Sequence, residues 1–339
     1  MKAFIITEPG KTRLGDIPVP VPQADEVLLQ TRLIGMCGTD LSTYRGKNPL
    51  VSYPRVPGHE VAATIASVGA DVPAEFRAGM NVTCSPYTAC GECASCKRGR
   101  PNACKSNQTL GVQREGAMAE YFVLPWRKLY VAEGLSLREL GLVEPLSVGF
   151  HAVARGRVTA EDTVAVLGCG GVGLGAISAA AFRGARVIAM DLDDAKLDIA
   201  REAGAAIRIN TTRQSVHDEL QSLTWGLGPD VIIEAIGTPD TFRLAVDEVA
   251  YTGRVVYIGY AKEPVSYETR LFLLKELDIL GSRNALDEFS SVIAMLQQKR
   301  FPVDRMVSKT VSLDEAGSAL REWSENPGAF TKIQVEVSR

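Results

Sequence analysis

Four of the chain's seven cysteines, Cys90, Cys93, Cys96 and Cys104, fall within the fifteen residues CGECASCKRGRPNAC, in the spacing CxxCxxCx7C. Thiolates oxidise and scavenge metals, so four in register share a partner: a disulfide set, a redox pair or a metal. Two-residue gaps let successive sulfurs point into one tetrahedron, giving a closed four-sulfur zinc shell with no open position, which makes the site structural. The odd total of seven argues against complete disulfide pairing. The lobe so stapled, about residues 84–110, has too little apolar content to fold alone.

A second set of metal-ligating types is dispersed. Cys37 lies in GMCGTD, His59 and Glu60 in VPGHEVAA, and Glu144 in LVEPLSVGFHA. A lone cysteine is usually a buried filler, but only three histidines occur in the chain, and Glu144 stands before a proline and an apolar helix, an odd place for an acid without a partner. His151 reads as a packed or cofactor-adjacent histidine and His217 as a surface one.

The third chemical signal is TVAVLGCGGVGLGA, where Gly168, Gly170 and Gly173 keep the GxGxxG spacing after an apolar strand and at the start of an alanine-rich helix. Gly168 allows the tight turn, Gly170 lets backbone approach a pyrophosphate and Gly173 lets helix pack on strand; with Gly171 and Val172 they place the helix N-terminus on the phosphates. Asp191 ends the next strand 23 residues after Gly168, where a carboxylate accepts hydrogen bonds from both ribose hydroxyls and repels a 2′-phosphate. NAD is therefore expected rather than NADP. Cys169 within the turn reads as a small filler.

The framework carrying these residues has 339 positions, 46% hydrophobic and 23% charged, with a formal charge of -3. That is the balance of a globular protein long enough for two domains, with no electrostatic reason to bind nucleic acid or an acidic membrane. The opening MKAFIITEPGKTRLG reads as neither signal nor transit peptide, and no apolar run reaches the roughly 18–20 residues that span a bilayer, so a cytoplasmic location is expected. Short strands broken by glycine and proline fill the first 140 or so residues. Beyond them six apolar runs alternate with helical patterns, the mark of a doubly wound parallel sheet. Two amphipathic helices follow, and a last strand, KIQVEVS, is expected to return to the first domain.

Taken together, GMCGTD, GHE, the four-cysteine lobe, EPLSVGFHA and GCGGVG resemble, in this order and over essentially the whole chain, the zinc-dependent medium-chain dehydrogenases, in the branch of sorbitol, threonine and sugar-acid (L-idonate, L-galactonate) dehydrogenases. The resemblance implies an α/β protein: a GroES-like β-rich catalytic domain at 1–149 and 283–339, and a Rossmann domain with a six-stranded sheet at 150–282. It implies two zincs per chain, one structural and one catalytic at the cleft between the domains, with NAD as the second cofactor. A homo-oligomer, dimer or tetramer, is implied as well. By this likeness Cys37, His59 and Glu144 hold the catalytic zinc, with Glu60 an adjacent or exchanging ligand, and Thr39 bonds the reacting alcohol. Many relatives carry histidine where this chain has Ser42, which leaves the last step of the proton relay to a water or a ribose hydroxyl. The substrate implied is a polyol or aldonate, with Tyr44, Arg45, Gln113, Arg114, Arg283 and Asn284 as candidate contacts.

Other readings make different demands. A zinc-containing nucleic-acid binder requires more than the local charge of CKRGRPNACK, and an enone or quinone reductase of this fold generally lacks both cysteine-bearing sets and tends to use NADP. A relative without catalytic function, or a threonine or simple-alcohol dehydrogenase, differs from the polyol reading in metal content and substrate panel.

Overall fold

A computed structural model describes residues 1–338. The chain opens with an antiparallel hairpin, β1 (Lys2–Glu8) and β2 (Lys11–Asp16), whose turn is made possible by Gly10 at φ 77°. In β3 (Glu26–Met36) alternate residues are buried up to Leu33, after which every residue is buried, so the strand dives into the interior at its C-terminal end. Helix α1 (Gly38–Tyr44) follows directly, then β4 (Glu60–Val68), β5 (Asn81–Cys84), and the cysteine lobe with β6 (Tyr87–Thr88), α2 (Ala94–Lys97) and β7 (Gln108–Thr109). Strands β8 (Tyr121–Pro125) and β9 (Leu129–Val131) and helices α3 (Leu137–Leu140) and α4 (Val143–Arg155) complete this half.

The periodicity then changes. Strands β10 (Thr163–Leu167), β11 (Arg186–Asp191), β12 (Ile207–Asn210), β13 (Val231–Glu234), β14 (Arg254–Tyr257) and β15 (Asp278–Gly281) alternate with α5 (Gly171–Phe182), α6 (Asp194–Glu202), α7 (Val216–Leu223), α8 (Pro239–Glu248) and α9 (Arg270–Leu274). They form one parallel sheet in the order β12-β11-β10-β13-β14-β15, the doubly wound arrangement, around Leu167, Ile188, Met190, Ile209, Ile232 and Val255. Helix α10 (Phe289–Gln297) follows, then α11 (Val303–Met306), β16 (Val307–Ser312), α12 (Ala316–Glu325) and β17 (Lys332–Glu336).

The chain divides into two units: Met1–Glu144 with the stretch from Val303 onward, and Pro145–Pro302. In the first, β17 returns to pair antiparallel with the end of β3, as the sequence predicts, in a seven-stranded sheet ordered β16-β17-β3-β4-β5-β9, with β8 also on β3. Its core includes Phe4, Ile6, Leu29, Ile34, Ile65, Met118, Leu124 and Ile333. The expected boundaries at 149/150 and 282/283 need correction, because residues 145–149 and 283–302 belong to the second unit. Side chains fix this: His151 Nδ1 of α4 lies 2.7 Å from Glu288 Oε1, and Arg155 Nε donates to Gly281 O at 3.2 Å.

Candidate active site

Cys37 follows the last residue of β3 and sits at the N-terminal cap of α1. Three residues on, the buried Asp40 carboxylate accepts from Cys37 N at 2.9 Å and from Gly58 N at 3.3 Å. One side chain thus ties the loop of Cys37 to the loop of His59. Gly58 has φ 98°, and a Cβ there would stand 2.9 Å from Ile34 Cγ1, so neither the backbone nor the space admits another residue. The His59 loop is pinned further by Ala117 N donating to Gly58 O and Met118 N to Pro57 O, both at 3.0 Å. Burial pushes the Asp40 carboxyl pKa up. Asp40→Ala is expected to destabilise the first unit by about 2–4 kcal/mol, since two amides lose their acceptor. Thermal unfolding checks this, with Asp40→Asn falling between it and the parent.

Cys37, His59 and Glu60 come together: each offers a ligand atom, and these atoms lie within 4.8 Å of one another. His59 Nδ1 is buried with no hydrogen-bond partner among the described residues. Burial disfavours the charged imidazole, yet Cys37, Asp40 and Glu144 outweigh it and hold the His59 pKa well above the usual range. The pocket therefore favours a positive charge, and a soft sulfur, an imidazole and a carboxylate fit a divalent zinc. Thr39 Oγ1 stands 3.6 Å from Cys37 Sγ.

Glu144, in the first turn of α4, stands apart from this trio. Its Oε1 accepts from the Tyr87 hydroxyl, while its charge still acts on His59. Burial raises the pKa of both Glu144 and Tyr87. Glu60 is also engaged, with both carboxylate oxygens on the Lys332 ammonium at 2.6 and 2.7 Å.

Cys90, Cys93, Cys96 and Cys104 converge as their spacing predicts, with Sγ–Sγ distances of 3.4 Å (Cys93–Cys96), 3.8 Å (Cys93–Cys104) and 3.5 Å (Cys104–Cys90). All seven cysteines are free of disulfides. Cys90 N and Ser106 N both donate to Cys104 Sγ at 3.3 Å, the kind of amide contact that stabilises thiolate charge. The β6–β7 pair closes the base of the lobe.

In the second unit Gly168 has φ 95°, and a Cβ on Gly173 would stand 1.9 Å from Gly168 O, so turn and helix meet where only glycine fits. A Cβ on Gly170 would face open space, which leaves the helix start, with Gly171 and Val172, bare for a ligand's phosphates. Asp191 closes β11 and is held rigidly: Oδ2 accepts from Cys169 N at 2.8 Å and Oδ1 from Asp193 N at 3.0 Å. Cys169 is buried, as a filler should be.

Several candidate substrate contacts have other duties. Tyr44 is buried in the core of the first unit, and Arg45 is committed to α12, donating to Ser324 Oγ at 3.0 Å. Gln113 Oε1 accepts from Thr109 N at 2.8 Å and Arg114 donates to Thr88 Oγ1 at 2.9 Å, so both brace the base of the lobe. Arg283 is exposed, and Asn284 takes a turn-forming φ of 56° after β15. Ser42 is half-buried within α1. Asp40, Tyr87 and Lys332 are the residues that the sequence reading missed. Asp40 had a signal in its helix-capping spacing from Cys37. Lys332, the first residue of the strand KIQVE, had none.

The alcohol dehydrogenase GroES-like domain family matches residues 23–133, and the zinc-binding dehydrogenase family matches residues 171–298. A sorbitol dehydrogenase of Bacillus subtilis is 31% identical, covering 100% of this chain and 98% of its own. An L-galactonate-5-dehydrogenase of Escherichia coli is 29% identical over 91% of both chains. An alcohol dehydrogenase of E. coli CFT073, solved with NADH, superposes with a TM-score of 0.91 at 29% identity and 99% coverage of each chain. The chain belongs to the zinc-binding alcohol and polyol dehydrogenases, oxidoreductases that act on CH–OH groups.

Proposed function

We propose that the chain oxidises a secondary alcohol of a polyol or sugar acid and passes the hydride to NAD. The convergence of Cys37, His59 and Glu60 in a buried pocket that favours a cation carries this reading. The residues that would hold the catalytic zinc are Cys37, His59 and Glu144, with Glu60 beside them; Cys90, Cys93, Cys96 and Cys104 would hold the structural one. Bound zinc supplies Lewis acidity that lowers the pKa of an alcohol oxygen by several units. Thr39, placed 3.6 Å from the Cys37 sulfur, takes up the leaving proton and hands on its own. Tyr87 steadies Glu144 through its hydroxyl. Ser42 carries no base, so the relay passes outward through water or a ribose hydroxyl.

Asp191 selects the cofactor. Its two backbone hydrogen bonds fix the carboxylate, and the remaining lone pairs would accept from ribose hydroxyls while its charge would oppose a 2′-phosphate. Asp191→Ala is expected to raise the KM for NAD roughly tenfold or more, the worth of a charge-assisted hydrogen bond, and to narrow the preference over NADP. The L-galactonate and sorbitol dehydrogenases among the relatives support hydroxyl-rich substrates. A panel of polyols, aldonates, threonine and simple alcohols, followed by absorbance of the reduced nicotinamide with each cofactor, tests the assignment. Turnover of threonine alone, or of none of these, overturns it.

The partner we assign to the open edge of the parallel sheet is a second copy of the chain. Among the described residues β15 has no strand on its outer side, and Ile279 with Leu273 and Leu274 of α9 exposes apolar surface there. No helix among the described residues is long and apolar enough to cross a membrane, and we place the enzyme in the cytoplasm.

A further inference from the structure

The ion pair between Lys332 and Glu60 spans a strand. β17, β3 and β4 lie side by side, with Lys332 at the start of β17 and Glu60 at the start of β4, and β3 runs between them. Gly35 of β3 is the register partner of Glu60 on one side and of Gln334 on the other. A Cβ at Gly35 would stand 1.9 Å from Glu60 Oε2 and 2.9 Å from Glu60 Cβ. The missing side chain is therefore a gap through which the carboxylate reaches across β3 to the lysine.

The contact is close and dry. Lys332 Nζ lies 2.6 and 2.7 Å from the Glu60 oxygens and 3.2 Å from Met36 O, and the two side chains are 6% and 1% exposed. An ammonium has three donors, and all three are used here. The same carboxylate offers an oxygen within 4.8 Å of ligand atoms of Cys37 and His59. Glu60 thus stands between two positive charges that compete for it, the lysine and whatever ion the Cys37 pocket holds.

We propose that Lys332, meeting Glu60 through the gap at Gly35, holds that carboxylate off the metal and so keeps one corner of the Cys37–His59 site open for the substrate alcohol. Lys332 is a positioning residue in this scheme, and Glu60 a reserve ligand. The proposal rests on the reading above that Cys37 and His59 bind a metal. A buried lysine is costly unless it has a partner of this kind, and an apolar side chain would fill this buried position as well.

The test uses the purified holoenzyme and Lys332→Met. Freed from the lysine, Glu60 joins the metal, and release of the more labile zinc to a chelator slows about tenfold or more, the scale on which residues behind metal ligands act. In the cobalt-substituted protein the visible bands shift and no longer respond to added alcohol. Lys332→Arg retains the parent behaviour, and the double variant Lys332→Met with Glu60→Gln restores the parent release rate. Should Lys332→Met fail to fold, Lys332→Gln, which keeps a donor without the charge, serves for the same readouts. Unchanged release and spectra in these variants, or faster release from a merely loosened site, overturn the proposal while the parent still binds two zincs. A parent that binds only the zinc of the four-cysteine lobe overturns the metal reading itself, and this proposal with it.

Discussion

Cys37→Ala is expected to lower kcat/KM at least about a thousandfold, a loss of about 4 kcal/mol of transition-state stabilisation. The sulfur is one of three donors that meet within 4.8 Å, and alanine leaves the ion to a buried imidazole, to Glu144 on the Tyr87 hydroxyl and to a Glu60 carboxylate already paired with Lys332. Zinc content should fall from two per chain to one, matching the two groups of ligating side chains. NAD affinity should not change, because the glycine turn and Asp191 belong to the other unit. Fluorescence titration with NADH and metal analysis of the same sample separate these effects. Near-parent turnover in a Cys37→Ala protein that lacks the second zinc would refute the mechanism. Glu144→Ala should also abolish turnover, though its carboxylate lies on the Tyr87 hydroxyl rather than within the trio.

Cys104→Ser is expected to cause the largest loss of stability. Cys104 is the buried hub of the lobe: its sulfur meets those of Cys90 and Cys93 and receives two backbone amides. A structural zinc contributes folding free energy directly, on the order of 10 kcal/mol in small metal-dependent folds, and three ligands retain only part of it. A loss of about 4 kcal/mol corresponds to a drop of roughly 10 °C in melting temperature for a unit of this size. The lobe should open first, so trypsin should cut at Lys97 and Arg98, which are exposed on and just after α2. Resistance of these bonds in a Cys104→Ser protein with one zinc would show that the lobe holds without its metal.

The parts of the molecule readable from sequence were those whose signals are local. The CxxCxxCx7C spacing closes a tetrahedron within fifteen residues, and the glycine turn needs only the adjoining strand and helix. The six parallel strands announced themselves as apolar runs at helical intervals. The β1–β2 hairpin was passed over, since KTRLGD lacks an apolar alternation. The boundary after residue 282 is not legible because α10 is amphipathic wherever it packs, and contacts distant in sequence, such as that of His151 with Glu288 at its cap, show to which unit it belongs. The Cys37 site was legible through its residue types, but its electrostatic surroundings were not. Nothing near Lys332 in sequence points to Glu60, 272 positions away, and nothing near Tyr87 points to Glu144.

The return of β17 to β3 has a bearing on biogenesis. Cys37, His59 and Glu60 precede the entire second unit in the chain, and the strand that seals the edge of β3 at Leu33–Met36 and delivers the counter-charge for Glu60 follows it. The four sulfurs of the cysteine lobe, by contrast, lie within fifteen residues of one another and emerge together. The Glu60–Lys332 pair therefore forms only once β17 has docked on β3, whereas the four sulfurs need no distant strand in order to meet.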